Sequence, residues 1–126
     1  MINNNMNQVM ANKQIALSWI KAFNDHHLEN LLSLYDEDAV HFSPKLKIRH
    51  PETGGFIRGK AALRSWWADA FNRIPSLQYQ LKNLIVNEEQ LIMEYLRKAD
   101  GENDMMVAEI LEIKNQLIIK SRVYHG

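Results

Sequence analysis

The sequence predicts an α+β domain in which helices come first and strands follow. Up to Pro75, apolar residues recur every three or four positions, which is the spacing of one helix face. From Leu77 onward they alternate at every second position, as in half-buried strands. The 126 residues, 46% of them apolar, suffice for one core and are too few for two ordinary domains. We therefore expect a single domain over residues 10–126, preceded by a flexible tail over residues 1–9.

Charge and composition exclude several classes of partner. Fifteen basic residues balance fifteen acidic ones without a long run of either sign, so neither a nucleic acid nor a membrane surface is an expected partner. The absence of cysteine rules out disulfides and thiolate zinc sites, and it is compatible with the cytoplasmic location that we expect. No apolar run approaches the length of a membrane span, and residues 1–8 do not resemble a secretory signal.

Three helices are expected in the first part of the chain. Each has apolar residues at positions i, i+3, i+4 and i+7, which places them on one face. The last of the three is stopped by Pro75, which cannot continue a helix. The predicted helices run from Met10 to Asn24, from Leu28 to about Tyr35, and from Lys60 to Ile74.

Strands alternate with turn signals in the rest of the chain. A short strand over residues 39–43 ends at Pro44, which has no N–H for a strand ladder. Residues 44–59 then form a loop longer than most connections in compact domains, which is typical of a lid or binding loop. The remaining predicted strands cover residues 76–86, 90–98, 105–113 and 117–125.

Glu109 is the exception on an otherwise apolar strand face. Strand side chains alternate between the two faces of a sheet, so Glu109 shares its face with four apolar residues. A carboxylate is costly to bury without a partner, which makes this position a candidate functional site. The apolar neighbours on that face are Met105, Val107, Leu111 and Ile113.

The register of the last hairpin decides what faces Glu109. A two-residue loop would pair Glu109 with Arg122 and mix polar with apolar residues on the core face. A three-residue loop, Lys114 to Gln116, keeps the core face nearly all apolar, and we predict this register. Its pairs are Ile113 with Leu117, Leu111 with Ile119, Glu109 with Ser121, Val107 with Val123, and Met105 with His125.

Three segments of the chain resemble the nuclear-transport-factor-2-like superfamily and, within it, the SnoaL-like domains, over about residues 16–126. The segments that carry the resemblance are Ala22-Phe23-Asn24, residues 31–40 (LLSLYDEDAV) and residues 57–63 (IRGKAAL). The resemblance implies a cone, in which three N-terminal helices pack inside a curved antiparallel sheet. It also implies a pocket at the open end of the cone, and a homodimer formed through the outer face of the sheet.

Ketosteroid isomerase belongs to that superfamily, so its catalytic groups can be compared with this chain. Its general-base aspartate corresponds to Ser43, which cannot take that role. Its oxyanion-hole tyrosine corresponds to Trp19, which has a donor N–H but no phenol. The second oxyanion-hole acid corresponds to Glu109 and keeps its chemical type. The comparison argues against steroid isomerisation by that mechanism and leaves the pocket intact.

Two interpretations of Glu109 follow from its position. Desolvation should raise its pKa, which would allow it to act as a neutral acid or a poised base. Alternatively, it is a structural carboxylate that accepts a hydrogen bond from Trp19, from Tyr95 or from the backbone.

His41 and His125 lie on the same predicted face and are the other candidate catalytic residues. A histidine near Glu109 could be oriented by it as a general base, either through His125 or through His41. The alternatives are a frayed terminal residue for His125 and a half-buried strand residue for His41. No motif with metal-ligand spacing is present, so we expect neither a metal nor a cofactor.

Aromatic and polar residues predict the lining of a ligand pocket. Aromatic faces stack on flat molecules, and their N–H or O–H groups fix orientation. We expect an apolar or aromatic small molecule, with isomerisation, cyclisation or dehydration as the acid–base chemistry. The alternative is a non-catalytic binding or interaction module, for which the apolar outer-face residues Met106, Ala108, Ile110, Ile118 and Tyr124 would supply the partner surface. The predicted ligand-binding residues are Trp19, Ser43, Trp67, Tyr79 and Tyr95.

Overall fold

The computed structural model describes residues 4–125, and it confirms the α+β class and the order of helices before most strands. No helix within these residues is long and apolar enough to cross a membrane. A 3₁₀ turn, Pro51–Thr53, lies between the third helix and the second strand. In chain order the helices and strands are α1 (Asn4–Asn24), α2 (Leu28–Leu32), β1 (Tyr35–Phe42), α3 (Pro44–Arg49), β2 (Phe56–Arg58), α4 (Lys60–Arg73), β3 (Gln78–Val86), β4 (Gln90–Lys98), β5 (Met105–Lys114) and β6 (Leu117–His125).

The six strands form one curved sheet in the order β2-β1-β6-β5-β4-β3. The prediction of an antiparallel sheet is wrong at one pair, because β1 runs parallel to β6. Hairpin connections fix the alternating directions from β3 to β6, whereas β1 is far from β6 in sequence and is free to pair in either direction. The concave face of the sheet packs around α1 and α4, and the buried core lies between them.

Helix α1 begins at Asn4, well before the predicted start at Met10. In the first half of α1, Asn12 is fully buried and its side-chain amide donates to the carbonyls of Asn87 and Glu88, both at 3.0 Å. These bonds fasten the first half of α1 to the turn between β3 and β4. Residues 1–3 of the predicted tail lie outside the described residues.

Residues 44–59 are not the open loop that the sequence suggests. Ser43 caps α3 by accepting a hydrogen bond from the backbone N–H of Leu46 at 3.4 Å, and Pro44 occupies the first turn, where its missing N–H costs nothing. Gly55 has a φ of 90°, and a Cβ there would lie 2.6 Å from the ring of Phe42. The chain then returns as β2, which extends the sheet beyond β1.

The hairpin register differs from both predicted alternatives. The turn has two residues, Asn115 and Gln116, with φ of 53° and 63°. An extra residue in β6, Ile119, then shifts the pairing, so that Glu109 lies opposite Val123 and Leu111 lies opposite Ser121. Because the bulge adds one residue, the residues of β6 that face inward beyond it, Ser121, Val123 and His125, are the ones that the predicted register placed inward. Glu109 therefore points inward, although its predicted partner was wrong.

Because of the same bulge, one residue that was predicted on the outer face of the sheet lies on the inner face. Ile118 precedes the bulge and is fully buried, so its assignment to the outer face is wrong. Met106 and Tyr124 lie outside as predicted and are 42% and 48% exposed. Ala108 lies between them on the outer face, opposite Tyr124.

We predict that Gln116→Gly stabilises the protein by about 0.5–1 kcal/mol, because a two-residue turn with positive φ at both positions favours glycine at the second. Urea unfolding at equilibrium measures the change. The matched control is Lys114→Gly, which places glycine in regular strand and should destabilise by a similar amount. An unchanged or lower midpoint for Gln116→Gly would contradict the proposed strain in this turn.

Candidate functional site

A cavity of about 280 Å³ lies between the concave face of the sheet and helices α1, α3 and α4. Its size is near the low end of small-molecule sites, which begin at about 300 Å³. The side chains of all the predicted site residues border it, so the sheet and helices bring them together although they are far apart in sequence. They are Trp19, His41, Ser43, Trp67, Tyr79, Tyr95, Glu109 and His125.

Glu109 lies at the inner end of this cavity and is only 2% exposed. The hydroxyl of Tyr95 donates to its Oε1 at 2.8 Å. Its second oxygen, Oε2, has no hydrogen-bond partner within residues 4–125, and no fully buried side-chain oxygen of these residues is left without one. Oε2 must therefore border open space, which here is the cavity.

Burial raises the pKa of Glu109 to about 8, and the hydrogen bond from Tyr95 opposes the rise only in part. At neutral pH the side chain is therefore mostly a neutral carboxylic acid. A neutral acid can donate a hydrogen bond or a proton to a ligand oxygen, which an ionised carboxylate cannot do. Both sequence interpretations of Glu109 hold in part, since it has a structural partner and also a raised pKa.

A column of aromatic rings holds Tyr95 in place. The ring of Tyr79 stacks on Tyr95 with 4.1 Å between centroids, and Phe23 stacks on the other side of Tyr79 at 3.9 Å. Trp19 lies parallel to Tyr79 at 5.9 Å. Stacked rings have little freedom to rotate away, so the Tyr95 hydroxyl remains directed at Glu109.

His41 is buried beside the cavity and is oriented by Ser121, not by Glu109 as the sequence suggested. Its Nδ1 lies 2.6 Å from the Ser121 hydroxyl, and its ring is 5.9 Å from that of Trp67. Burial lowers the pKa of His41 to about 4, so the imidazole is neutral at physiological pH. Nε2 has no partner within the described part of the chain and, by the same reasoning as for Glu109 Oε2, borders the cavity.

His125 does not pair with Glu109 in the structure. It lies opposite Val107, one step closer to the cavity mouth than the Glu109–Val123 pair. Burial lowers its pKa, and the nearby cations Lys45 and Arg97 lower it further.

Two predicted ligand-binding groups are engaged within the protein. The indole N–H of Trp19 donates to the hydroxyl of Tyr35 at 2.9 Å, so Trp19 offers a ring face to the cavity and no free donor. The Ser43 hydroxyl caps α3. Tyr35 was missed because the sequence pattern assigned it to the second helix, whereas it is the first residue of β1.

Four cations at the cavity mouth were also missed by the sequence analysis: Lys45, Arg49, Arg73 and Arg97. Lys45 and Arg49 are four residues apart on α3, a spacing that places them on one helix face. Arg97 shares the inward face of β4 with Tyr95. Three other charged residues of the 44–59 segment, His50, Glu52 and Arg58, do not border the cavity. Recognising α3 in the sequence would have revealed the first two cations.

No metal centre accompanies these groups. Within residues 4–125, no group of three or more His, Asp or Glu side chains is arranged to hold a metal ion. The side chains that border the cavity are a neutral acid, a neutral imidazole, aromatic faces and the cations of the mouth.

A curved sheet that wraps helices, with a cavity between them, defines the class of cone-shaped α+β proteins. The sequence matches the SnoaL-like domain over residues 16–121, and the chain therefore belongs to this family, within the nuclear-transport-factor-2-like superfamily. No curated protein matches the sequence.

Solved structures share the fold at low sequence identity. A SnoaL-like protein of unknown function from Burkholderia thailandensis is similar with a TM-score of 0.83 and 23% identity, over 93% of this chain and 95% of that chain. An NTF2-like protein of unknown function from Cytophaga hutchinsonii is similar with a TM-score of 0.72 and 12% identity, over 91% and 89%. TerC, co-crystallised with polyporic acid, is similar with a TM-score of 0.79 and 14% identity, over 92% of both chains. These similarities establish the fold.

The raised pKa of Glu109 predicts a pH-dependent stability. Between 4.5 and about 8, the folded protein holds a proton that the unfolded chain has released, so stability falls as pH rises. From about pH 7 to about pH 8.5, this group should cost about 1 kcal/mol of unfolding free energy. Glu109→Gln should remove that slope in urea unfolding, whereas the exposed Glu94→Gln should retain it.

His41 has the opposite dependence and does not interfere with this measurement. Its folded pKa is depressed, so it favours folding above about pH 6.5 and loses that contribution as pH falls towards 4. Equal slopes for the wild-type protein and Glu109→Gln above pH 7 would show that Glu109 is ionised in the folded state.

Proposed function

We propose that this protein binds a small apolar or aromatic molecule in its cavity and catalyses acid–base chemistry on it, in an isomerisation, cyclisation or dehydration. The observation that carries the proposal is Glu109, whose Oε1 is held by Tyr95 while Oε2 borders the cavity. A purely structural carboxyl group would be expected to have both oxygens satisfied by the protein.

Glu109 and His41 are both buried, and their pKa values are displaced in opposite directions. Burial raises the pKa of Glu109 to about 8 and lowers that of His41 to about 4. Each group is therefore neutral near pH 7, one able to give a proton and the other able to accept one. Such a separation is how enzyme sites assign acid and base roles at one pH.

In the proposed mechanism, Glu109 hydrogen-bonds a substrate carbonyl oxygen through its Oε2–H. With Nδ1–H donating to Ser121, His41 presents the lone pair of Nε2 to the cavity and removes a proton from the carbon next to that carbonyl. The electrons of the C–H bond move towards the oxygen, and the hydrogen bond from the Oε2–H of Glu109 stabilises the resulting enolate. His125, nearer the mouth, is the second candidate base.

The surrounding rings support this chemistry by excluding water. Trp19, Tyr79 and Tyr95 cover the inner cavity, where a low dielectric strengthens the hydrogen bond from a neutral acid to developing negative charge. The cocrystal of TerC with polyporic acid supports the proposal that a cavity of this fold takes an organic molecule.

Deuterium exchange into 2-tetralone tests the proposal without knowledge of the natural substrate. The protons next to its carbonyl exchange with D₂O through an enol, and NMR follows their loss. We expect the wild-type protein to accelerate exchange and Glu109→Gln to lower that acceleration by about a hundredfold or more, the usual contribution of a positioned acid or base. His41→Gln should reduce it as well.

Glu94→Gln is the matched control, since Glu94 is exposed on the opposite face of β4. This variant should accelerate deuterium exchange into 2-tetralone as much as the wild-type protein does. If Glu109→Gln keeps the full rate, Glu109 is not the acid. If 2-tetralone binds but the wild-type protein does not accelerate exchange, the cavity is better explained as a non-catalytic binding site.

We also propose that two copies of the chain associate through the outer face of the sheet. Apolar cross-strand neighbours lie together there, with Met106 opposite Leu96 and Ala108 opposite Tyr124. Met106 and Tyr124 are about half-exposed, which is unusual for large apolar side chains that lie side by side on a monomer. A second copy covers such a self-complementary strip most simply.

Light scattering after gel filtration tests this association. The wild-type protein should have twice the chain mass of 14.7 kDa, and Met106→Glu should have the mass of one chain, because two copies would bring like charges together. Ile48→Glu changes another exposed apolar residue, on α3, and should leave the dimer intact. A wild-type mass of one chain would rule out the dimer.

A further inference from the structure

The cavity mouth has more positive charge than its local carboxylates neutralise. Arg97 donates to Glu102 at 2.9 Å, and Arg73 donates to Asp69 at 2.7 Å. Lys45 and Arg49 have no carboxylate partner within residues 4–125, although both border the cavity. Two cations at the mouth are therefore available to a ligand.

The four cations lie close enough to influence one another. Burial lowers the pKa of Lys45, Arg97, Arg49 and Arg73 lower it further, and Glu102 opposes the change. Glu102 also borders the cavity but is one carboxylate among four cations, so positive charge remains in excess there and an anion would relieve it. The inner cavity has no compensating negative charge at neutral pH, because the raised pKa of Glu109 keeps it protonated.

The strand geometry orders these groups along the cavity. Glu109 pairs with Met93, and Arg97 lies four residues further along β4, about 13 Å towards the mouth at about 3.3 Å per residue. Tyr95 lies between them on the same face. A molecule that reaches from Glu109 to the mouth thus passes aromatic rings before it meets the cations.

We propose that the ligand of this cavity is an organic acid, with an apolar or aromatic body beside Tyr79 and Tyr95 and a carboxylate held at the mouth by Lys45 and Arg49. This inference rests on the proposed function and narrows its ligand from any small apolar molecule to an anionic one. The carboxylate would form charge-assisted hydrogen bonds with cations that have no partner inside the protein.

Calorimetry with a matched pair of probes, 2-naphthoate and its neutral amide 2-naphthamide, tests the inference. The two molecules share their ring system and differ in charge. For the wild-type protein at neutral pH, we expect 2-naphthoate to bind about tenfold more tightly, the effect of about one charge-assisted contact. Added sodium chloride should reduce this preference, since salt screens the exposed mouth.

The double variant Lys45→Gln, Arg49→Gln should bind the two probes about equally and keep the wild-type affinity for 2-naphthamide. Both residues are exposed on α3, so the variant should melt as the wild-type protein does. Lys47→Gln removes a cation from the same helix that does not border the cavity, and it should keep the preference.

The outcomes separate this inference from the proposed function. The inference of an anionic ligand is wrong if the wild-type protein binds 2-naphthamide as tightly as 2-naphthoate, or if the double variant still binds 2-naphthoate more tightly. In either case the cavity remains a binding site. If neither probe binds, the proposed binding function is wrong, and the inference is wrong with it.

Discussion

The hydrogen bond between Tyr95 and Glu109 is the contact on which the candidate site depends. The two residues lie on adjacent central strands, with Tyr95 opposite Val107 and Glu109 opposite Met93, so they are diagonal neighbours on one face. That spacing is within reach of a tyrosine side chain. The bond satisfies one carboxyl oxygen. It compensates only part of the desolvation of the ionised carboxylate, so the pKa of Glu109 remains raised.

The second constraint is which residues of each strand point into the cone, and the bulge in β6 sets this for the second half of that strand. A two-residue turn alone would place Arg122 opposite Glu109 and send Ser121 to the outer face. Because Ile119 is an extra residue, Ser121 points inward and lies opposite His41 across the parallel β1–β6 pair. The turn and the bulge together therefore place Glu109 and His41 on one concave surface.

The parts of the structure that follow from local periodicity were predictable from the sequence. Alternation of apolar residues reports which face a side chain occupies, whatever its partner, and so Glu109 was correctly assigned to the core face despite a wrong register. The superfamily resemblance supplied the cone. The parallel pairing of β1 with β6 is a long-range contact, and no pattern within either strand indicates its direction.

The sequence analysis missed several residues of the site, for a different reason. Lys45 and Arg49 lie on α3, a helix of six residues that is too short to show apolar periodicity and is flanked by turn residues typical of a loop. Tyr35 and Ser121 acquire their roles from partners distant in sequence, Trp19 and His41. Charged and polar contacts of this kind depend on the folded geometry, whereas the sequence pattern reports burial.

The protonation of Glu109 is set by its surroundings at the inner end of the cavity, whereas the cations Lys45 and Arg97 at the mouth act on His125. Burial raises the pKa of Glu109 and the hydrogen bond from Tyr95 opposes the rise, so both causes lie at the inner end of the cavity. Lys45 and Arg49 are exposed to solvent, so salt screens them, whereas the inner groups are shielded from it. In the proposed function, the charged mouth would govern which molecules enter and how fast, and the desolvated interior would govern the reaction. Substitutions at the mouth should therefore change ligand preference without changing the protonation state of Glu109.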